Sequence, residues 1–129
     1  MIKAEPPRTE RLTGANLLVV EDELMLLLEL ESVLVDAGAD RVVLSRSTGD
    51  ALLRARNEPL SAAILDIRIG PEVVTLVARA LAKRGVPFLF YTGQPLSDPA
   101  LDEWRASKVL TKPARPDVIV NAIAELLAA

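Results

Sequence analysis

The chain has 129 residues (13.9 kDa), of which 50% are apolar and 26% charged, the balance of a single globular domain able to bury a core without covalent staples. With no cysteine and no histidine, it can form no disulfide, thiolate metal centre, iron–sulfur cluster, Ser-His-Asp triad or phosphohistidine carrier. Fifteen basic against eighteen acidic residues leave a net charge of −3. With only Phe88, Phe90, Tyr91 and Trp104 as aromatics, neither a basic footprint nor a stacking surface for nucleic acid is expected.

Residues 1–14 (MIKAEPPRTERLTG) read as a flexible N-terminal tail, because five charges surround Pro6-Pro7 with no apolar period, and the domain is expected over 15–129. This opening is unlike a signal peptide, and no apolar run approaches the roughly 18 residues of a membrane span, so a cytoplasmic protein without a membrane partner is expected. Asn16–Val20 is a continuous apolar run, the pattern of a strand buried on both faces. Apolar residues at helical spacing follow over Leu24–Ala37, with Gly38 as the stop. Arg41–Ser45 predicts an edge-like strand, Thr48–Asn57 a short helix and Ser61–Leu65 a third strand. Glu72–Lys83 predicts a helix ending at Arg84-Gly85, and Val86–Tyr91 a fourth strand with its proline near the start. Gln94–Ser107 is poorly patterned and holds at most one short helix near Pro99–Arg105. Lys108–Leu110 predicts a fifth strand and Pro116–Leu127 a last amphipathic helix. Five strands alternating with about five helices imply right-handed βαβ units: an α/β fold with a doubly wound parallel sheet covered on both faces.

The polar residues fall at telling places. Glu21-Asp22 follows the first strand, Asp66 the third, Thr92 the fourth and Lys112 the fifth. In an open parallel sheet these carboxyl ends form one edge, where ligands bind. Each residue also has a plain structural explanation. Asp22 could cap the helix that starts near Leu24; Asp66 could be an ordinary loop carboxylate, Thr92 a β-branched strand residue and Lys112 a solvated lysine. It is the conjunction that argues for a site. Converging carboxylates repel one another unless a cation neutralises them, and an all-oxygen donor set fits a hard ion such as Mg²⁺. One carboxylate could then act as nucleophile toward a phosphoryl group, with lysine and hydroxyl groups facing its oxygens.

The motifs LLVVEDE, AAILDIR, FLFYTG and VLTKP, spread over about residues 15–128, resemble those of the receiver domain of two-component response regulators. The resemblance implies a flavodoxin-like five-stranded sheet in the order 2-1-3-4-5, Mg²⁺ as cofactor, Asp66 as phosphoacceptor, and Glu21, Asp22, Asp66 and the Arg68 backbone carbonyl as metal ligands. It implies that Thr92 and Lys112 contact the phosphoryl group, and that the phosphoryl donor is a sensor histidine kinase or a histidine phosphotransfer protein. RGVPFLFYTG further resembles a subgroup with a PFxFATG-like fourth strand, with Tyr91 in place of the usual alanine.

Four departures stand out. The loop IRIGPEVV is shortened and lacks the common Met-Pro; Val109 stands where most receivers carry a switch aromatic; Arg68 places a cation two residues after the acceptor; and the fourth helix is weakly patterned. Three functions remain open. The first is a stand-alone receiver, not a free-standing enzyme, that signals to an unknown downstream protein or passes its phosphoryl group on. The second is a pseudo-receiver that only binds partners, which Val109 favours. The third is a small aspartyl-nucleophile phosphatase, which would need an acid/base Asp where Arg68 stands.

Overall fold

A computed structural model describes residues 11–129. In chain order its elements are β1 (Asn16–Val20), α1 (Leu24–Asp36), β2 (Arg41–Ser45), α2 (Thr48–Asn57), β3 (Ala62–Leu65), β4 (Arg68–Ile69), β5 (Glu72–Val73), α3 (Thr75–Lys83), β6 (Phe88–Thr92), a 3₁₀ turn (Pro99–Trp104), β7 (Lys108–Thr111) and α4 (Pro116–Ala128). Five strands form a parallel sheet in the order β2-β1-β3-β6-β7, while β4 and β5 pair only with each other. Because that hairpin lies outside the sheet, the topology is the expected doubly wound 2-1-3-4-5 order. No helix among the described residues is long and apolar enough to cross a membrane.

Strand side chains alternate between faces, so each apolar run feeds two cores. Leu17, Val19, Ile64, Leu89, Tyr91 and Leu110 pack on one side with Leu27, Leu30 and Leu34 of α1 and Ile119 and Ile123 of α4. Leu18, Val20, Ala63, Leu65 and Phe90 pack on the other with Ala51 and Ala55 of α2 and Val77, Ala78 and Leu81 of α3. A strand that must fill both layers carries no charged residue in its buried stretch before it leaves the sheet. This is why the first acidic residues appear at positions 21 and 66.

Two expectations need correction, and one structural alternative falls away. The helix predicted from Glu72 begins at Thr75, because Arg68–Val73 folds as a hairpin closed by Gly70-Pro71. Gly70 has φ of 60°, and a glycine followed by proline suits a two-residue turn whose first position lies in the left-handed region. Asp22 does not cap α1; Glu23 occupies the N-cap position and no side chain caps it. The packed domain also starts earlier than residue 15. Leu12 is fully buried, its N–H donates to the Ala37 carbonyl at 2.8 Å, and Thr13 bridges to Ala39. The rest of the expected tail, residues 1–10, lies outside the described residues.

Leu12 therefore behaves as a core residue. Leu12→Ala should lower the unfolding free energy by about 2–4 kcal/mol, as for other buried leucines. Urea denaturation measures it, and a loss below about 0.5 kcal/mol, the scale of surface changes, would return Leu12 to the tail.

Candidate functional site

The parallel register sets the carboxyl edges of four strands side by side. Val20 pairs with Leu65, Leu65 with Phe90, and Thr92 with Thr111, so the residues just beyond these ends are neighbours. The ladder continues past the strand ends. Glu21 N–H donates to the Ser45 carbonyl at 3.0 Å, Asp66 N–H to Val20 at 3.0 Å and Lys112 N–H to Thr92 at 2.9 Å. These bonds hold the backbone of each site residue as firmly as a strand.

Glu21, Asp22 and Asp66 each offer a carboxylate oxygen within 4.8 Å of the other two. Glu21 and Asp66 are buried, at 2% and 8% exposure, whereas Asp22 is half-buried. The Lys112 ammonium donates to Asp66 Oδ2 at 2.7 Å and to Glu21 Oε1 at 2.5 Å. Burial pushes the Glu21 carboxyl above its ordinary value, and the Asp66 charge adds to this against the opposing bonds from Lys112 and the Glu23 N–H. Burial also acts on Asp22, but the Gly70 N–H at 2.8 Å and the Glu21 carboxyl outweigh it and hold Asp22 low. For Lys112, the bonds from Asp66 and Glu21 exceed the cost of burial and raise its pKa. An all-oxygen cluster with one raised and one lowered carboxyl suits a hard divalent cation.

The structure thus brings Glu21, Asp22, Asp66 and Lys112 together. Thr92 sits at the same edge, but its buried hydroxyl accepts from the Gln94 N–H at 3.0 Å and does not bond to the carboxylates. The Arg68 side chain turns away from the cluster. It makes a two-point ion pair with Asp98, Nε to Oδ2 at 3.1 Å and Nη2 to Oδ1 at 2.9 Å. Asp98 is 7% exposed and also accepts from the Ala100 N–H, which starts the 3₁₀ turn. That N–H, more than the opposing burial, and then Arg68, keep the Asp98 carboxyl below its ordinary range.

Three residues of the site region escaped sequence reasoning. Arg46 donates from Nε and Nη2 to the Asp22 carbonyl at 3.3 and 3.1 Å, and its place just after β2 was the available signal. Asp98 sits before Pro99, a pattern that signals a helix start but not its arginine partner. Trp104 lies edge-on against Phe88 and tilted against Phe90, with ring centroids 5.4 and 6.4 Å away, and lines the same hollow as Val109.

No family model matches the sequence, and no curated protein matches it. Solved structures do. The chain is 37% identical to SdrG from Sphingomonas melonis Fr1, covering 98% of that chain and 91% of its own at a TM-score of 0.76. It is 28% identical to a response regulator receiver protein from Sinorhizobium medicae WSM419, with a TM-score of 0.80 and coverage of 89% of this chain and 95% of that one. This chain belongs to the response regulator receiver family. The receiver domain of the sensor histidine kinase PA1611 from Pseudomonas aeruginosa PAO1 shares its fold at 21% identity and a TM-score of 0.78, with 91% and 100% coverage; that protein holds a magnesium ion in its active site cleft. In this receiver the acidic cluster offers the donors for such an ion.

The Arg68–Asp98 pair gives a direct expectation for dynamics. Arg68→Ala should speed amide hydrogen exchange across 98–104 by about tenfold, the scale of one lost charge-assisted contact. Unchanged exchange would show that the pair does not hold the turn. Because the Asp98 carboxyl lies below its ordinary 3.8, its contribution persists at neutral pH and is lost only as pH falls through the lowered value.

Proposed function

We propose that Asp66 accepts a phosphoryl group from a histidine kinase or histidine phosphotransfer protein, so that the chain works as a stand-alone receiver that signals by protein contact or phosphorelay and not as a free-standing enzyme. The observation carrying this is the convergence of Asp66 with Glu21, Asp22 and Lys112 at one sheet edge. Glu21, Asp22, Asp66 and the Arg68 backbone carbonyl would hold Mg²⁺, whose charge would offset that of the phosphoryl oxygens when bound. The Asp66 carboxylate attacks phosphorus, and the bond from phosphorus to the donor imidazole breaks with its electron pair leaving on nitrogen. Lys112 faces the incoming oxygens, and Thr92 can release Gln94 to meet one of them. The fourth-strand segment RGVPFLFYTG supports the PFxFATG-like subgroup, and a cytoplasmic location suits such a chain.

Output is proposed to run through residues 94–107. Val109 cannot serve as a rotating aromatic, while Arg68, two residues from Asp66, already grips this segment through Asp98. A pseudo-receiver reading draws on the same Val109.

A phosphodonor experiment separates them. Incubation with acetyl phosphate and Mg²⁺ should add one phosphoryl mass to the wild type and none to Asp66→Asn. An unmodified wild type would support the pseudo-receiver, and modification surviving in Asp66→Asn would sink the acceptor assignment. Metal binding should also depend on pH. As pH falls, Glu21 takes its proton above the ordinary 4.5, and the cation loses a ligand. Mg²⁺ affinity, followed by amide shifts near residues 21–22 and 66–68, should therefore weaken as the pH is lowered from neutral, and at a higher pH than an ordinary glutamate would require. A pH-independent affinity would remove Glu21 from the ligand set.

A further inference from the structure

The sequence departs from the resembled subgroup at Tyr91, and the structure gives that residue an unusual task. Tyr91 is 3% exposed and lies in the core between the sheet, α1 and α4. A buried phenol needs a partner for its hydroxyl. Here the oxygen accepts the Ala114 N–H at 3.0 Å.

Ala114 stands two residues beyond Lys112. The turn Lys112–Ala114 has only two backbone donors, because Pro113 has none. Both go to β6. The Lys112 N–H is held by the Thr92 carbonyl at 2.9 Å and the Ala114 N–H by the Tyr91 hydroxyl. The turn that carries the lysine is therefore fastened on either side of it to neighbouring residues of one strand. The ring adds a second constraint, since the Lys112 ammonium lies 5.8 Å from its centroid, within the range of a cation–π contact. An alanine at position 91 would supply neither the acceptor nor the ring.

The Tyr91 hydroxyl bonds to the Ala114 amide and not to the carboxylates. Neighbouring strand residues point to opposite faces, and Tyr91 packs in one core while Phe90 and Val109 face the other. It cannot replace an aromatic at 109. It acts through Lys112, by the turn that presents the lysine and by the ring beside its ammonium.

We infer that Tyr91 is a positioning residue, which holds the Lys112 ammonium against Asp66 and Glu21 by anchoring the Ala114 amide. This rests on the proposed phosphoryl transfer for its functional consequence, but its structural claim can be read separately. Tyr91→Phe keeps the ring and removes the acceptor.

Two measurements on Tyr91→Phe test the inference. Amide exchange at Ala114 should accelerate by about fivefold to tenfold, the scale of one neutral hydrogen bond, while β6 and β7 stay protected. The Lys112 side-chain methylene next to nitrogen should become more mobile by carbon relaxation. Acceleration spread through both strands, or an unchanged Ala114 and an equally ordered Lys112, would overturn the inference. Neither readout needs phosphorylation, so a wild type that takes no phosphoryl group would defeat the proposed function and leave this test standing. Where phosphorylation proceeds, Tyr91→Phe should lower its maximal rate about fivefold with little change in the half-saturating acetyl phosphate concentration. The same substitution in a Lys112→Ala background should then have no further effect. An equal slowing in that background would show that Tyr91 acts on something other than Lys112, and the inference would fail.

Discussion

Two buried carboxylates lie side by side because a lysine ammonium bridges them. Glu21 and Asp66 would repel each other at this distance from solvent, and burial alone already drives Glu21 toward its neutral form. Lys112 offsets both charges, and in return the two acids keep its ammonium charged in spite of burial. Three strand ends must therefore bring their side chains to one point, with the carboxylate oxygens within 4.8 Å of one another and the ammonium between two of them. The parallel register supplies this, and the continued backbone ladder at Glu21, Asp66 and Lys112 carries it past the end of the sheet. Any slip of one strand would carry its polar residue to the wrong face and leave a charge in the core.

Much of this was legible in the residues. Runs such as Asn16–Val20 and Ala62–Leu65 are apolar on both faces, so the first polar residue after each marks the edge of the sheet. The edge in turn gathers Glu21, Asp22, Asp66, Thr92 and Lys112. The start of the third crossover helix is not legible, because Glu72–Val73 fits a helical period as well as a strand, and the deciding residues are Gly70-Pro71 just before it. Leu12 carries no core signal in the sequence, because a single apolar residue among charges has no period; its burial comes from packing and a backbone bond beside the distant Ala37. Partners of long side chains were the least legible. Nothing in the sequence ties Arg68 to Asp98 thirty residues on, or Tyr91 to an amide.

The two sides of the sheet divide the labour. On the α1 and α4 side, Tyr91 and Leu110 pack beneath the turn that presents Lys112, a region dense in aliphatic contacts. On the α2 and α3 side, the segment from Gln94 to Ser107 is held more sparsely. Its anchors are Asp98, Leu101 and the Trp104 ring against Phe88 and Phe90. The buried indole N–H of Trp104 makes no hydrogen bond to another described residue. A segment held by so few anchors suits a switch better than a close-packed core does.

Charge sets the direction of such a rearrangement. On the proposed reading, phosphorylation exchanges the single charge of Asp66 for roughly two on the phosphoryl group. Lys112 is already shared between two acids, and Arg46 is occupied by the Asp22 carbonyl. Arg68, two residues beyond the acceptor in the chain, carries a guanidinium bound to Asp98. If the new charge draws Arg68 inward, Asp98 keeps only the Ala100 N–H for a carboxylate that is nearly out of reach of water. An unpaired charge at that depth is costly, so Asp98 must turn outward and release the start of the 3₁₀ turn. Leu101 and Trp104 ride on that turn. Their displacement would alter the surface beside Val109 with no aromatic at that position, which is how a receiver can lose the usual rotating ring and still connect its acceptor to its face.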